Sequence, residues 1–157
     1  MSDPVPVRRW ERPDGYVVST DRDLLDFDVI HGYLARSYWS PGVERERVER
    51  AARNSLCYGL YAPDGAQVGY ARVITDRATF AYLADVFVLE AHRGQGRGTF
   101  LAECAVMDPD LADLRRWLLF TRDAHGLYER FGFGPITAPE RGMQRLGRAA
   151  GACERGT

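Results

Sequence analysis

The chain has 157 residues, of which 45% are hydrophobic and 27% are charged, and its formal net charge is −1. These values are typical of one globular domain with a sizeable core, and so small a net charge disfavours a general affinity for nucleic acid or for an anionic membrane. No apolar run approaches the roughly 20 residues of a membrane-spanning helix, and the amino-terminal segment lacks the apolar core of a signal peptide, so we expect a cytoplasmic protein. The cysteines, Cys57, Cys104 and Cys153, are isolated and lack C-x-x-C spacing, which fits a reducing compartment and predicts no metal site.

The first half of the chain predicts a strand, two helices and a hairpin. A short strand is expected over residues 15–20, and residues 26–38 and 43–56 carry apolar side chains at helical spacing. "CYGLYA" and "QVGYARVI", joined by the turn "PDG", predict a β-hairpin.

The second half predicts a long buried strand followed by a glycine-rich turn and a helix. Residues 79–89 form a nearly continuous apolar run, as in a strand that is buried on both faces. Another buried strand is expected in "RRWLLFT", then a short helix in "DAHGLYERFG" that ends at Gly132, and further strands in "FGPI" and "APERGMQRL". We expect residues 1–146 to form a single domain and residues 147–157 to form a disordered tail.

The turn between the long strand and its helix contains glycine at alternate positions: Gly94, Gly96 and Gly98. Glycine permits unusual backbone angles, which is enough for a tight connection. Backbone N–H groups at a helix N-terminus also attract phosphate, which can approach closely where there is no Cβ. Side chains that could add donors to a pyrophosphate flank the glycines: Arg93, Arg97 and Thr99. We therefore interpret this turn as a phosphate-binding site.

The nucleotide-binding motifs do not fit this turn. The Walker pattern is absent, and Thr99 stands where the dinucleotide fingerprint needs its last glycine. The pattern R-x-x-G-x-G, met by Arg93, Gly96 and Gly98, resembles the pyrophosphate-binding motif of the GNAT superfamily, the acetyl-CoA-dependent N-acetyltransferases.

A second motif strengthens the resemblance. "TRDAHGLYERFGF", residues 121–133, resembles the GNAT pattern N-x-x-A-x-x-L-Y-x-x-x-G-F, with Thr121 where asparagine is common. The match covers about residues 80–136. It implies an α/β GNAT fold: a mixed, mostly antiparallel sheet of six to seven strands, with splayed central strands and helices on both faces.

The resemblance implies acetyl-CoA as the acyl donor, without a metal. Its pantetheine arm would lie between strands 80–89 and 115–122, and the N–H of Val88 would polarise the thioester carbonyl. The residues expected to bind it are Phe87, Val88, Arg93, Gly94, Gln95, Gly96, Arg97, Gly98, Thr99, Thr121 and Tyr128.

Two residues are candidates for the chemistry. Tyr128 stands at the family position of the general acid; because a thiol of pKa about 8.5 is more acidic than a tyrosine near 10, we expect mainly a hydrogen bond to the leaving thiolate. The alternative for Tyr128 is a core tyrosine. Asp85 is the only charged residue in an apolar strand, so it is the candidate base or acceptor-binding group, and the alternative is an ion pair with Arg72.

The acceptor is expected to be the primary amine of a small molecule. The residues that would bind it are His31, Tyr38, Trp39 and Asp85, although Tyr38 and Trp39 can instead simply cover the core. The resemblance also allows a homodimer. Two other functions remain open: a CoA-binding domain without catalysis, and a protein acetyltransferase acting on N-termini or lysines.

Overall fold

Six strands form one sheet in the order in which they occur along the chain, in a computed structural model that describes residues 5–148. The strands are β1 (Arg9–Glu11), β2 (Val17–Ser19), β3 (Leu56–Tyr61), β4 (Gln67–Thr75), β5 (Phe80–Val88) and β6 (Arg116–Leu118). All neighbouring strands are antiparallel except β5 and β6, which are parallel. The predicted mixed, mostly antiparallel sheet is confirmed.

The α-helices of the described residues are α1 (Phe27–Leu34), α2 (Arg45–Arg53), α3 (Arg97–Val106) and α4 (His125–Glu129). Short 3-10 helices lie at Arg22–Leu24, Glu90–His92, Pro109–Leu111 and Pro139–Arg141. The start of α1 is well determined because the Asp26 carboxylate accepts the N–H groups of Asp28 and Val29. Gly132, at φ 88°, ends the segment that holds α4, as the sequence predicts.

The apolar side chains form two clusters, one on each face of the sheet. Neighbouring residues of a strand point to opposite faces, and so Val88 belongs to the cluster with α3 while Phe87 belongs to the cluster with α1 and α2. The hairpin strands β3 and β4 are buried almost throughout, because helices cover both faces.

Three strand predictions differ from the structure. β1 was not predicted, because Arg9–Glu11 is a short, mostly charged segment that is recognisable only by its pairing with β2. No strand follows Leu118 in residues 5–148, so the two expected in "FGPI" and "APERGMQRL" are wrong; prolines interrupt both, and Pro139–Arg141 forms a 3-10 helix. Residues 149–157, most of the predicted tail, lie outside the described residues.

Candidate active site

The two central strands separate and leave a cleft between them. β5 and β6 are paired only where Phe80, Ala81 and Tyr82 lie opposite β6. Beyond Tyr82 the strands diverge around a cleft of about 1570 Å³, which extends from the glycine-rich turn to Trp39 and Arg72. The predicted splay is therefore present.

A β-bulge on β5 places Asp85 in this cleft. Tyr70 pairs with Phe87 and Arg72 with Ala84, so β5 has one more residue than β4 over this interval. Asp85 adopts φ 55°, a left-handed conformation that aspartate tolerates better than most residues. The bulge interrupts the regular pairing of β4 and β5 at Asp85, which is the only carboxylate of β5.

The glycine turn, residues 93–99, forms part of the cleft wall. Gly94 and Gly96 have φ 87° and 76°, and a Cβ on either would meet no atom closer than 3.7 Å. From Gly94 to Thr99, six successive N–H groups make no hydrogen bond within the described chain, and the first bonded amide is that of Phe100, to the Gly96 carbonyl at 2.9 Å. Free N–H groups at a helix N-terminus, with no acidic residue in the first turn, fit the pyrophosphate of CoA.

The two arginines of the turn direct their side chains at the protein itself. Arg93 donates from Nε to the Val88 carbonyl at 2.7 Å and from Nη2 to the Tyr33 hydroxyl at 2.9 Å. Arg97 places its guanidinium 3.8 Å from the Tyr16 ring centroid. These contacts hold the turn in shape. Because the guanidinium of Arg97 is engaged in them, Arg97 would bind a phosphate through its backbone N–H.

Several predicted acetyl-CoA residues line the cleft and others do not. The predicted residues that line it are Phe87, Val88, Arg93, Gly94, Gly96, Gly98, Thr99, Thr121 and Tyr128, whereas Gln95 and Arg97 do not. Leu89 donates its N–H to the Val68 carbonyl on the β4 side at 2.8 Å. Because successive N–H groups of a strand alternate in direction, the N–H of Val88 points toward the cleft. Thr121 accepts the N–H of Ala124 through Oγ1 at 3.0 Å and so shapes the turn before α4.

Tyr128 lies on α4 with its side chain in the cleft wall. The residue is only 7% exposed, and its hydroxyl makes no hydrogen bond within residues 5–148. Burial, assisted by the neighbouring Tyr38 hydroxyl, raises the pKa of Tyr128 to about 12. The phenol therefore keeps its proton throughout the physiological range and has that proton free to donate.

At the other end of the cleft, Asp85 is held by two donors from distant parts of the chain. Arg72 donates from Nε to Oδ2 at 2.7 Å, and Trp39 donates from Nε1 to Oδ1 at 3.0 Å. Arg72 is held in turn by Ser55, whose Oγ accepts Nη1 at 3.1 Å. The ion pair considered as the alternative is present, and Asp85 also lines the cleft.

A contact between two loops bridges the cleft. The Tyr38 hydroxyl accepts the backbone N–H of Arg122 at 3.2 Å, and the Arg122 guanidinium lies 3.9 Å from the Tyr38 ring centroid. The sequence did not indicate Arg122, because its partner is 84 residues away. His31 lies outside the cleft, where its Nε2 donates to the Val43 carbonyl at 2.9 Å, so the structure does not bring it to the predicted acceptor site.

Residues 5–148 contain neither a cluster of metal-ligating side chains nor a membrane-spanning helix. Within them, no group of three or more histidine, cysteine, aspartate or glutamate side chains is placed to hold a metal ion. No helix there is long and apolar enough to span a membrane.

Known proteins resemble this chain over most of its length. Residues 53–135 match the family model of the GNAT acetyltransferase domain. A candidate acetyltransferase of Gibberella zeae is 34% identical over 143 residues, which cover 77% of this chain and 79% of the relative. A candidate GNAT acetyltransferase of Xanthomonas campestris, known as a crystal structure, is 47% identical with a TM-score of 0.81, covering 85% of this chain and 94% of its own.

A Mycobacterium tuberculosis protein in complex with CoA shares the fold alone, at 18% identity and a TM-score of 0.61, with 87% of both chains covered. The range that the family model matches contains both sequence motifs, and the X. campestris structure shares the fold. The chain therefore belongs to the GNAT family of acetyltransferases and is an acyltransferase.

Proposed function

We propose that this protein transfers the acetyl group of acetyl-CoA to the primary amine of a small molecule by direct attack on the thioester. One observation carries the proposal. A single continuous cleft joins the unpaired N–H groups of the glycine turn, the free hydroxyl of Tyr128 and the carboxylate of Asp85. An acyl donor at one end and an amine at the other would meet between them.

The glycine turn is suited to bind the pyrophosphate of acetyl-CoA. Its free N–H groups stand at the positive end of the α3 dipole, where anions are stabilised. The M. tuberculosis protein that was crystallised with CoA has this fold, which supports the assignment. The gap beside β5 is suited to the pantetheine arm.

The N–H of Val88 is suited to stabilise the oxyanion that develops on the thioester carbonyl. It points into the cleft, and its position is secured because Arg93 holds the carbonyl of the same residue. A preorganised donor of this kind typically contributes about 10²–10³-fold in rate.

Tyr128 is suited to stabilise the leaving thiolate. A thiol has a pKa of about 8.5, several units below the value of about 12 for Tyr128. Full proton transfer to the thiolate is therefore unfavourable, and Tyr128 acts by donating a hydrogen bond to sulfur.

Asp85 is suited to bind the acceptor and to receive or relay its proton. An alkylamine of pKa about 10.4 is almost entirely protonated at pH 7 and must lose a proton before it can attack. The carboxylate has about four lone-pair sites, and Arg72 and Trp39 occupy two of them. The remaining sites can accept hydrogen bonds from an ammonium group in the cleft.

The contact between Tyr38 and Arg122 favours a small acceptor. It crosses the cleft and joins the loop after α1 to the loop after β6. A protein substrate would need a more open groove. A CoA-binding domain without catalysis would not need the carboxylate and the phenol in one cleft.

Calorimetric titration with acetyl-CoA tests the first part of the proposal, with desulfo-CoA as a control for the thioester. Micromolar binding is expected. A screen of amines by thiol release then tests catalysis. Binding without turnover of any amine would identify a CoA-binding domain, and no binding of either ligand would reject the assignment of the cleft.

A further inference from the structure

Arg72 and Asp85 present opposite charges side by side at the acceptor end of the cleft. Their side chains are 17% and 12% exposed, and 2.7 Å separates Arg72 Nε from Asp85 Oδ2. Both residues line the cleft. A ligand that reaches Asp85 therefore also comes close to a positive charge.

Both groups retain hydrogen-bonding capacity. Nη2 of Arg72 makes no hydrogen bond within the described chain, whereas Nε and Nη1 are fixed by Asp85 and Ser55. Asp85 can accept further hydrogen bonds beyond those from Arg72 and Trp39. The pair thus offers a donor and an acceptor that are held rigidly next to one another.

This pairing discriminates between kinds of amine. A simple alkylammonium gains attraction to Asp85 but is repelled by Arg72, and a polyamine brings more positive charge to the same place. An amine that also bears a carboxylate can place its ammonium on Asp85 and its carboxylate on Arg72. Charged partners strengthen both sets of hydrogen bonds.

The charges farther along the wall are compatible with an anionic group. Arg36 and Arg122 also line the cleft. Two other carboxylates line it: Glu90 begins the 3-10 helix before the glycine turn and so belongs to the acyl-donor end, and Asp123 adjoins Arg122.

The same end of the cleft offers an apolar surface. Phe120 lines the cleft although it is 71% exposed, and its ring centroid is 6.2 Å from that of Tyr82. This aromatic pair, of which Phe120 is the exposed member, is suited to contact the side chain of a ligand that binds through its ammonium and carboxylate.

We propose that the acceptor is an α-amino acid with an apolar side chain, which the Arg72–Asp85 pair binds as a zwitterion. This rests on the proposed function. In the reaction the amine nitrogen forms a bond to the acetyl carbon and the carbon–sulfur bond breaks. One of the two protons lost from the ammonium passes to solvent, and the other ends on the CoA thiolate.

Matched acceptors test the proposal on the full chain. The kcat/KM for phenylalanine, measured by thiol release from acetyl-CoA, is expected to exceed that for 2-phenylethylamine, phenylalanine amide or spermidine by about 10- to 100-fold. Equal or better use of the amines without a carboxylate would overturn the inference and leave the proposed acetyltransferase function standing. Binding of acetyl-CoA without turnover of any acceptor would overturn both.

The substitution Arg72→Gln tests the role of the pair. The preference for phenylalanine over 2-phenylethylamine should fall toward one, whereas Arg50→Gln, on the exposed face of α2, should leave it unchanged. The preference is a ratio measured on one enzyme preparation, so a loss of folded protein affects both acceptors equally. A preference unchanged by Arg72→Gln would overturn the inference.

Discussion

The two ends of the cleft are formed by different chemical groups, backbone N–H groups at the proposed acyl-donor end and side chains at the proposed acceptor end. At the proposed acyl-donor end, the backbone N–H groups from Gly94 to Thr99 make no hydrogen bond within the described chain, and four of these six residues line the cleft. At the acceptor end, side chains from three separate segments meet: Trp39, Arg72 and Asp85.

This difference explains why the acyl-donor end is easier to predict from the sequence than the acceptor end. Backbone donors need only glycines and a helix start, so a short sequence pattern can encode them. Side chains that meet across 46 positions of the chain, as Trp39 and Asp85 do, depend on the fold. We therefore expect the proposed acetyl-CoA end to be encoded by a local motif and the proposed acceptor end to depend on the tertiary structure.

The largest effect is expected where the two ends meet, at Tyr128. Tyr128→Phe should lower kcat by about 10²–10³-fold with little change in the KM for acetyl-CoA, because the hydrogen-bond donor that would stabilise the developing thiolate is lost. Steady-state kinetics measures both constants.

Tyr61→Phe is the matched control for that substitution. Like the Tyr128 hydroxyl, the Tyr61 hydroxyl has no partner in the described chain, but it is buried and Tyr61 does not line the cleft. Its removal should leave kcat unchanged. A wild-type kcat in Tyr128→Phe would remove Tyr128 from the mechanism.

The substitution Gly96→Leu tests the acyl-donor end of the cleft, where backbone N–H groups are proposed to bind phosphate. A leucine at φ 76° costs about 1–2 kcal/mol and places a side chain over the free N–H groups, so acetyl-CoA affinity should fall by about 100-fold or more in calorimetric titration. Gly65→Leu provides a control at φ 90° in the β3–β4 turn, with similar strain and normal affinity. If both variants bound acetyl-CoA equally well, the turn would not be the phosphate site.

The substitution Asp85→Asn tests the acceptor end of the cleft, where side chains are proposed to bind the amine. Asparagine tolerates the left-handed conformation, so the bulge should survive, while kcat/KM for the acceptor falls by about 10- to 100-fold and acetyl-CoA binding stays normal. If Asp85 also takes the proton, the alkaline rise of the pH–rate profile should be displaced. A pH–rate profile and a kcat/KM like those of the wild type would show that Asp85 has only a structural role, as the ion-pair partner of Arg72.

The smallest effect concerns alkaline pH. The folded state holds the Tyr128 proton to a pKa of about 12, against about 10 in the unfolded chain. The folded state therefore binds more protons above pH 10, and stability falls as pH rises. The titration of Tyr128 is expected to lower the free energy of unfolding by about 1.4 kcal/mol between pH 9 and pH 11.

Denaturant unfolding at the two pH values measures that loss. The loss should be smaller in Tyr128→Phe, and an equal loss in both proteins would contradict the burial of the phenol. Burial raises the pKa of Tyr58 and Tyr70 as well, so part of the alkaline destabilisation should persist in the variant.

By itself, the sequence determined the elements whose signals are local. The β3–β4 hairpin, the apolar β5, the glycine turn and the short helix with Tyr128 were all predictable, because periodicity, turn residues and contiguous motifs encode them. It did not indicate β1, which depends on pairing, and it suggested two strands after Leu118 that the described chain does not form.

Tertiary structure alone decided how the site is assembled. It turned the side chains of Arg93 and Arg97 toward the protein, left His31 outside the cleft and joined Tyr38 to Arg122. It also fixed Asp85 between Arg72 and Trp39. The physical reason is that side-chain partners far apart in sequence are chosen by packing and by the satisfaction of buried polar groups, which no local pattern records.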